Sequence, residues 1–365
     1  MHLLQMIDRW LPPPEILRLS GLGVDISESS IKYIGFSPSY TGLFALSMDS
    51  YGEVDIGPDI LSQGEIKDVD KLSKVLSEVK KRTGVPYMRL SLPEERVYLF
   101  ETEIEPGLSQ KEIRAQLEFR LEENVPLSPR DSYFDFHISQ PLSKGGQCPV
   151  AVTVCAKEVI DAYYEACRKA GITPLSFEVE SQAIARAVLP KGDKGTRLLI
   201  DFGKTRTGLG VVHDGVLLYT STIDIGGNDL SVSLRRQLGE KPESDLTVIK
   251  NNYGLVKGAD NANYIEALLP VISSVKDEIQ TRLNYWNEKN GATRSIGEII
   301  LCGGSANLRG LTTYFTETLG VETTLADVWQ NAFDPKLLAP PIDRRHSYSY
   351  ATAIGLALAS FSTDI

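Results

Sequence analysis

The chain of 365 residues is 42% hydrophobic and 24% charged, the balance of a globular protein with material for two domains or one large two-lobed molecule. A net charge of -10 argues against nucleic acid as a partner, because such binders carry a basic stripe or patch. Cys148, Cys155, Cys167 and Cys302 form no CxxC pair, and the four scattered histidines form no HExxH, so neither a zinc site nor a disulfide framework organises the fold.

In chain order, MHLLQMIDRWLPPP predicts a short amphipathic turn stopped by Pro12, Pro13 and Pro14, with a peripheral docking segment as the sharper alternative; it lacks the cleavage site of a signal peptide. Leu22, Val24 and Ile26 form an apolar strand that enters the polar turn of DISESSIK (residues 25–32). A second strand, the turn SPSYTG and a third strand LFALSM follow. Residues 65–83 place Ile66, Val69, Leu72, Val75, Leu76 and Val79 on one helical face, ending in Lys80, Lys81, Arg82 and Gly84. RLSLPEERVYLF, a helix opened by the capping pair Ser109 and Glu112, YFDFHIS and PVAVTVC then read as an inserted α+β subdomain over 85–156.

The strand–turn–strand pattern now returns. IDFGKTRTGLGVV (200–212) lies over VDISESSIKYIGF (24–36) at an offset of 176 residues, with an Asp at the same place, a hydroxyl residue four positions on (Ser29, Thr205), and a third run VLLYTSTI after HDG. Helices are expected near 227–238, 244–253 and 263–289. The strand of Ile299, Ile300 and Leu301 breaks at Gly303 and Gly304 into a helix starting around Ser305, and the chain closes on the helix-like YSYATAIGLALASF. No apolar run reaches the ~18 residues of a membrane span, so a cytoplasmic protein is expected. Two similar units at half-chain distance predict an α/β fold of two facing lobes with a cleft between them.

If the two Asp-bearing turns face each other, Asp25 and Asp201 could hold a hydrated Mg²⁺, since hard cations take carboxylate and water oxygens. Turn amides and the hydroxyls of Ser27, Ser29, Ser30, Thr205 and Thr207 would meet phosphate oxygens, Gly203 would let the backbone approach, and Lys32 would supply a point charge. In GGSAN, the turn of Gly303, Gly304 and Ala306 offers a flat backbone surface to a base. The Glu-rich pieces LEENVP and PEERVY are read as solvated helix and turn. No P-loop or complete GxGxxG is present.

DISESSIK, IDFGKTRTGLGVV, the DIGGNDL turn with Gly226 and Gly227, and LCGGSANLRGLTTYF together resemble the two phosphate motifs and the adenosine motif of the actin-like ATPase superfamily, in its FtsA-like branch. The block from SLPEERVYLFETEI to SFEVESQAIARAV is similar to the PilM family of type IV pilus assembly proteins, a likeness that runs from about Gly21 onward. The resemblance implies a duplicated, actin-like (ribonuclease H-like) two-lobe α/β fold with an inserted α+β subdomain in lobe 1. Its parts are an N-terminal extension (1–20), lobe 1 (21–84 and 157–197) around the insert (85–156), lobe 2 (198–225 and 291–340) around a helical subdomain (226–290), and a C-terminal helix (341–365) returning to lobe 1.

The resemblance further implies ATP or ADP with Mg²⁺ as ligand. It implies a place at the inner face of the membrane, held by the cytoplasmic tail of a PilN-like partner in a groove of lobe 1 beside the insert, with other platform and motor proteins as partners and self-association left open. Two departures stand out: Ser27 and Glu28 replace the glycine and small residue of the family's first loop, and LTVIK carries Thr247 in place of the ribose-binding Glu of AExxK, keeping only Lys250. A carboxylate beside a triphosphate repels it, so weaker binding and little or no turnover are expected. A sugar-kinase-like phosphotransferase lacks a convincing catalytic Asp outside the two turns, and a nucleotide-free partner-binding module is the remaining alternative.

Overall fold

The structure is a computed structural model that describes residues 21–36, 50–139, 146–258, 261–332 and 339–361. The N-terminal segment, the SPSYTG turn and the LFALSM strand lie outside these residues. In the first lobe, β1 (Leu22–Ile26), β2 (Ser30–Ile34) and β3 (Tyr51–Asp55) form an antiparallel meander. A small hairpin, β4 (Leu61–Ser62) and β5 (Glu65–Ile66), precedes helix α1 (Val69–Thr83). Here the expected helix starts late: Asp68 caps it by accepting from the Lys71 amide at 2.8 Å, and residues 65–66 pair in the hairpin instead.

Strand β6 (Tyr87–Leu92) runs parallel to β1, so it belongs to the first-lobe sheet and not to the inserted block, which starts later than residue 85. The insert comprises β7 (Val97–Ile104), α2 (Gln110–Asn124), β8 (Ser132–Ile138) and β9 (Cys148–Ala156), with the antiparallel order β7-β9-β8. Ser109 and Glu112 cap α2 reciprocally, as the S-x-x-E spacing predicts. Ile113, Leu117 and Leu121 bury one stripe of α2 against Phe100, Val150, Val152 and Val154, each side chain contributing about 1.5–3 kcal/mol. Helix α3 (Lys157–Ala170), β10 (Thr173–Val179) and α4 (Glu180–Val188) then complete the sheet β10-β6-β1-β2-β3.

The second lobe repeats this plan with β11 (Thr196–Phe202), β12 (Thr207–His213) and β13 (Val216–Ile223), followed by α5 (Gly227–Leu238), α6 (Glu243–Asn252) and the long α7 (Ala262–Asn290). Strand β14 (Glu298–Cys302), α8 (Leu311–Leu319) and β15 (Thr323–Leu325) close the sheet β13-β12-β11-β14-β15. Each sheet is thus three antiparallel strands extended by two parallel ones, and β14 stands where β6 stands in the first lobe. After the short α9 (Arg344–Ser347), helix α10 (Ala351–Leu358) returns to the first lobe and packs on β1 and α4, with all eight residues buried. Strands β1 and β11 read as nearly continuous apolar runs because helices cover both sheet faces, and one Asp interrupts each run at its end. No helix among the described residues is long and apolar enough to cross a membrane.

Candidate functional site

The two hairpins share one pairing register. In the first, Asp25 stands opposite Lys32 and Ile26 opposite Ile31; in the second, Asp201 stands opposite Gly208 and Phe202 opposite Thr207. Both leave a four-residue turn that closes with the same bond: the Ser27 amide donates to the Ser30 carbonyl at 3.0 Å, and the Gly203 amide to the Arg206 carbonyl at 3.0 Å. A Cβ at Gly203 would stand 2.9 Å from that carbonyl, which accounts for glycine in the second turn. In the first turn Ser27 ties the loop to itself, its Oγ donating to the Ser30 carbonyl at 2.9 Å. Glu28 is drawn toward the β4–β5 turn, where Oε1 accepts from the Gln63 amide at 2.6 Å.

The carboxyls of the two hairpins share one buried region. Asp25 is 8% exposed; its Oδ1 accepts from Ser91 Oγ at 3.1 Å, and the same oxygen of Ser91 accepts from the Ile26 amide at 2.9 Å. Burial pushes the Asp25 carboxyl up against the opposing pull of Lys32. Burial, then the neighbouring Asp25 and Glu94, push Asp201 up to about 7. Lys32 Nζ donates to Ser30 Oγ at 3.0 Å and pairs with Glu53 at 3.2 Å, while Ser29 supplies its carbonyl to the Ile56 amide at 3.0 Å. Thr205, half-buried, completes the second turn.

Three groups here contradict or extend the reading of the sequence. PEERVY is not merely a solvated turn: Glu94 is 3% exposed, and its Oε1 accepts from the Ser181 amide at 3.0 Å and from Ser181 Oγ at 2.6 Å, while its buried Oε2 has no hydrogen-bond partner. Glu180, at the start of α4, is held well above the usual carboxylate range by burial and by Glu94. Arg206, from the second turn, pairs with Glu95 and with Glu180 at 3.2 Å. Carboxyls of Asp25, Glu94, Glu180 and Asp201 therefore converge where few cations offset them, an arrangement that favours binding of protons or metal ions. No group of three metal-ligating side chains forms among the described residues, so a metal here would rely on water or ligand oxygens for most of its shell.

Directly beside Asp201, Gly303 follows β14 with φ +87°, and a Cβ there would stand 2.3 Å from Asp201 Oδ1; only glycine lets the chain turn away past that carboxylate. Its amide donates to the Tyr348 carbonyl at 2.9 Å, Gly304 stays exposed, and Ser305 Oγ donates to the Gly203 carbonyl at 2.8 Å, joining the turn after β14 to the second hairpin turn. The Gly226 amide donates to Asp229 Oδ2 at 2.8 Å, closing the start of α5, and the Gly227 amide donates to the Gly203 carbonyl at 3.0 Å, bracing the turn from behind. Lys250 Nζ donates to Ser231 Oγ at 2.8 Å and pairs with Glu243 at 3.1 Å, beside exposed Thr247.

Two expected ligand contacts turn their side chains inward. Thr207 is fully buried with Oγ1 donating to the Ile225 carbonyl at 2.7 Å, and the Ala306 side chain is 2% exposed inside the second-lobe core. Ser91, Glu94, Glu95, Glu180, Arg206, Ser305 and Glu243 were missed. The signal for Glu94 and Glu95 was the duplication itself: the turn after β6 is the first-lobe counterpart of the GGSAN turn after β14.

Solved structures share this architecture. A PilM–PilN type IV pilus biogenesis complex is similar with a TM-score of 0.76 at 23% identity, over 94% of this chain and 99% of that one. EutJ, an ethanolamine utilization protein from Carboxydothermus hydrogenoformans, is similar at 0.53 and 16% identity, over 95% and 90% of the two chains. MreB 5 of Spiroplasma citri bound to AMPPNP is similar at 0.51 and 13% identity, over 92% and 95%. At these identities the likeness speaks for the fold alone, which is actin-like. Residues 23–361 match the family described as type IV pilus assembly protein PilM, and the chain belongs to that family.

Proposed function

We propose that the cleft holds ATP or ADP with Mg²⁺, and that the protein acts as a nucleotide-binding scaffold of a type IV pilus platform with little or no turnover. The observation that carries this reading is the pair of matched hairpins that bring Asp25 and Asp201 into one buried region, flanked by Lys32 and by the Gly303 turn. The residues fit a hydrated divalent cation: the buried Asp25 and half-buried Asp201 carboxyls repel one another beside the unpartnered Glu94 Oε2, and Lys32 and Arg206 offset that charge only in part. Asp25 and Asp201 would hold the ion mainly through water, and it would neutralise phosphate charge there. Backbone of 27–30 and 203–206, with Ser29, Thr205 and Lys32, would face the phosphates, and the Gly303–Gly304 turn with Lys250 the nucleoside.

The surroundings of Glu180, a buried carboxyl beside the two turns, support low turnover. A general base that activates water must be ionised and free. Burial and Glu94 push this carboxyl well above the usual carboxylate range, and Arg206 engages its Oε1 at 3.2 Å, so it is not free to act as a base. The solved relatives include a PilM–PilN complex and an MreB 5 bound to AMPPNP, which supports a PilN-like tail as partner and a nucleotide as ligand for this chain. The tail would lie in lobe 1 beside the insert and tether the protein at the inner face of the membrane.

Calorimetry with MgATP in the presence and absence of the tail peptide tests the reading, alongside phosphate release. Saturable binding of both ligands with negligible release is expected. Failure to bind nucleotide while the tail still binds would favour a partner-binding module, the reading that Arg206 standing among the cleft carboxyls otherwise supports.

A further inference from the structure

Arg206 crosses from the second hairpin turn to the first lobe. Its guanidinium donates to Glu95 and, at 3.2 Å, to Glu180 Oε1, and its side chain is 13% exposed. Glu95 Oε2 also accepts from Thr222 Oγ1 of β13 at 3.4 Å, so three segments converge on one carboxylate. The same guanidinium is close enough to Asp25, Asp201, Glu94 and Glu28 to feel their charge, and its low exposure keeps it off the rim of the molecule.

We propose that Arg206 is a phosphate-binding residue held in reserve: Glu95 and Glu180 engage it, and the terminal phosphate of a nucleoside triphosphate takes it over. The proposal rests on the nucleotide reading above and adds to it the residue that distinguishes triphosphate from diphosphate. A guanidinium fork binds carboxylate and phosphate with the same bidentate geometry, so one anion can replace the other without loss of hydrogen bonds. A triphosphate brings further negative charge to a region already crowded with carboxyls, and Lys32, committed to Ser30 and Glu53, does not offset it alone.

Release is tolerable on the first-lobe side. Burial raises the Glu180 carboxyl well above the usual carboxylate range and so favours its neutral form, which eases departure of the guanidinium. Glu95 lies two residues before β7, which opens the insert, so taking Arg206 away loosens the root of that strand. A diphosphate lacks the group that competes for Arg206 and leaves the ion pairs in place.

The test measures Mg-dependent ATP and ADP affinities by calorimetry for wild type, Arg206→Gln, Arg206→Lys and Glu95→Gln, with hydrogen exchange over residues 95–104 under each nucleotide. Arg206→Gln is expected to lose about tenfold or more in ATP affinity, the worth of a charge-assisted bond, with ADP affinity changed by less than about threefold. Arg206→Lys keeps the charge without the fork and falls between. Glu95→Gln frees the guanidinium and tightens ATP, and exchange at 95–104 is then fast with either nucleotide, whereas in wild type only ATP speeds it. Should Arg206→Gln fail to fold, Glu95→Gln carries the test by itself. Equal shifts for ATP and ADP, or none, in a protein that binds both would overturn this proposal alone; a wild type that binds neither overturns the nucleotide reading and this proposal with it.

Discussion

Replacing Asp201 by Asn should change how stability depends on pH. In the folded protein the carboxyl titrates at about 7, because it is buried beside Asp25 and Glu94; its ordinary value is 3.8. Between these values the folded state holds a proton that the unfolded chain has released, so stability falls as pH rises from about 4 to about 7 and is flat above that window. Three pH units correspond to about 4 kcal/mol, an upper figure because Asp25 and Glu94 adjust their own charge in response. Asn cannot ionise and escapes this loss. Urea unfolding of wild type and Asp201→Asn at pH 5 and pH 8, without nucleotide or divalent cation, should show the variant gaining on wild type by a few kcal/mol across the interval. Added Mg²⁺ should recover part of the loss in wild type at pH 8 and little in the variant. Parallel pH dependences for the two proteins would refute the assignment of Asp201 to a crowded, buried carboxyl cluster.

Ser91→Ala removes the hydroxyl that donates to Asp25 and accepts from the Ile26 amide; a loss of about 1–3 kcal/mol is expected by urea unfolding. Thr207→Val places an apolar residue where the matching position of the first hairpin carries Ile31, so nucleotide affinity should be unchanged and stability lower by about 1 kcal/mol; a tenfold drop in affinity would return Thr207 to the phosphate site. Ser27→Gly with Glu28→Ser should tighten ATP, measured by calorimetry. Because Glu28 is already drawn toward the Gln63 amide, the gain should stay below about tenfold, the worth of one modest electrostatic contact.

The duplication was legible because it rests on local signals: apolar runs broken by one Asp, and turns of matching length. The hairpin registers reproduce the alignment of residues 24–36 with 200–212 at each paired position, and the helices near 227–238, 244–253 and 263–289 formed within a residue or so of their expected bounds. What the sequence concealed depends on contacts distant along the chain. Ser91 lies 66 residues from Asp25, and Glu94 lies 87 from Ser181, so neither partnership leaves a local pattern.

Assigning β6 to the insert hid Glu94 and Glu95, since a turn in a peripheral subdomain is naturally read as solvated. Thr207 and Ala306 erred in the opposite direction. A motif supplies residue types, but strand alternation at Thr207 and packing of the short 3-10 turn at Ala306 decide which side chains face outward. Thr207 faces inward beneath the strand and Ala306 into the helical core.

Calorimetric titration of MgATP into wild type and Asp201→Ala tests the central claim most directly. The account predicts one saturable site in wild type, weakened about tenfold or more in the variant, as expected when a charged ligand-facing group is removed. No binding to wild type, or equal affinity for the two proteins, would contradict it.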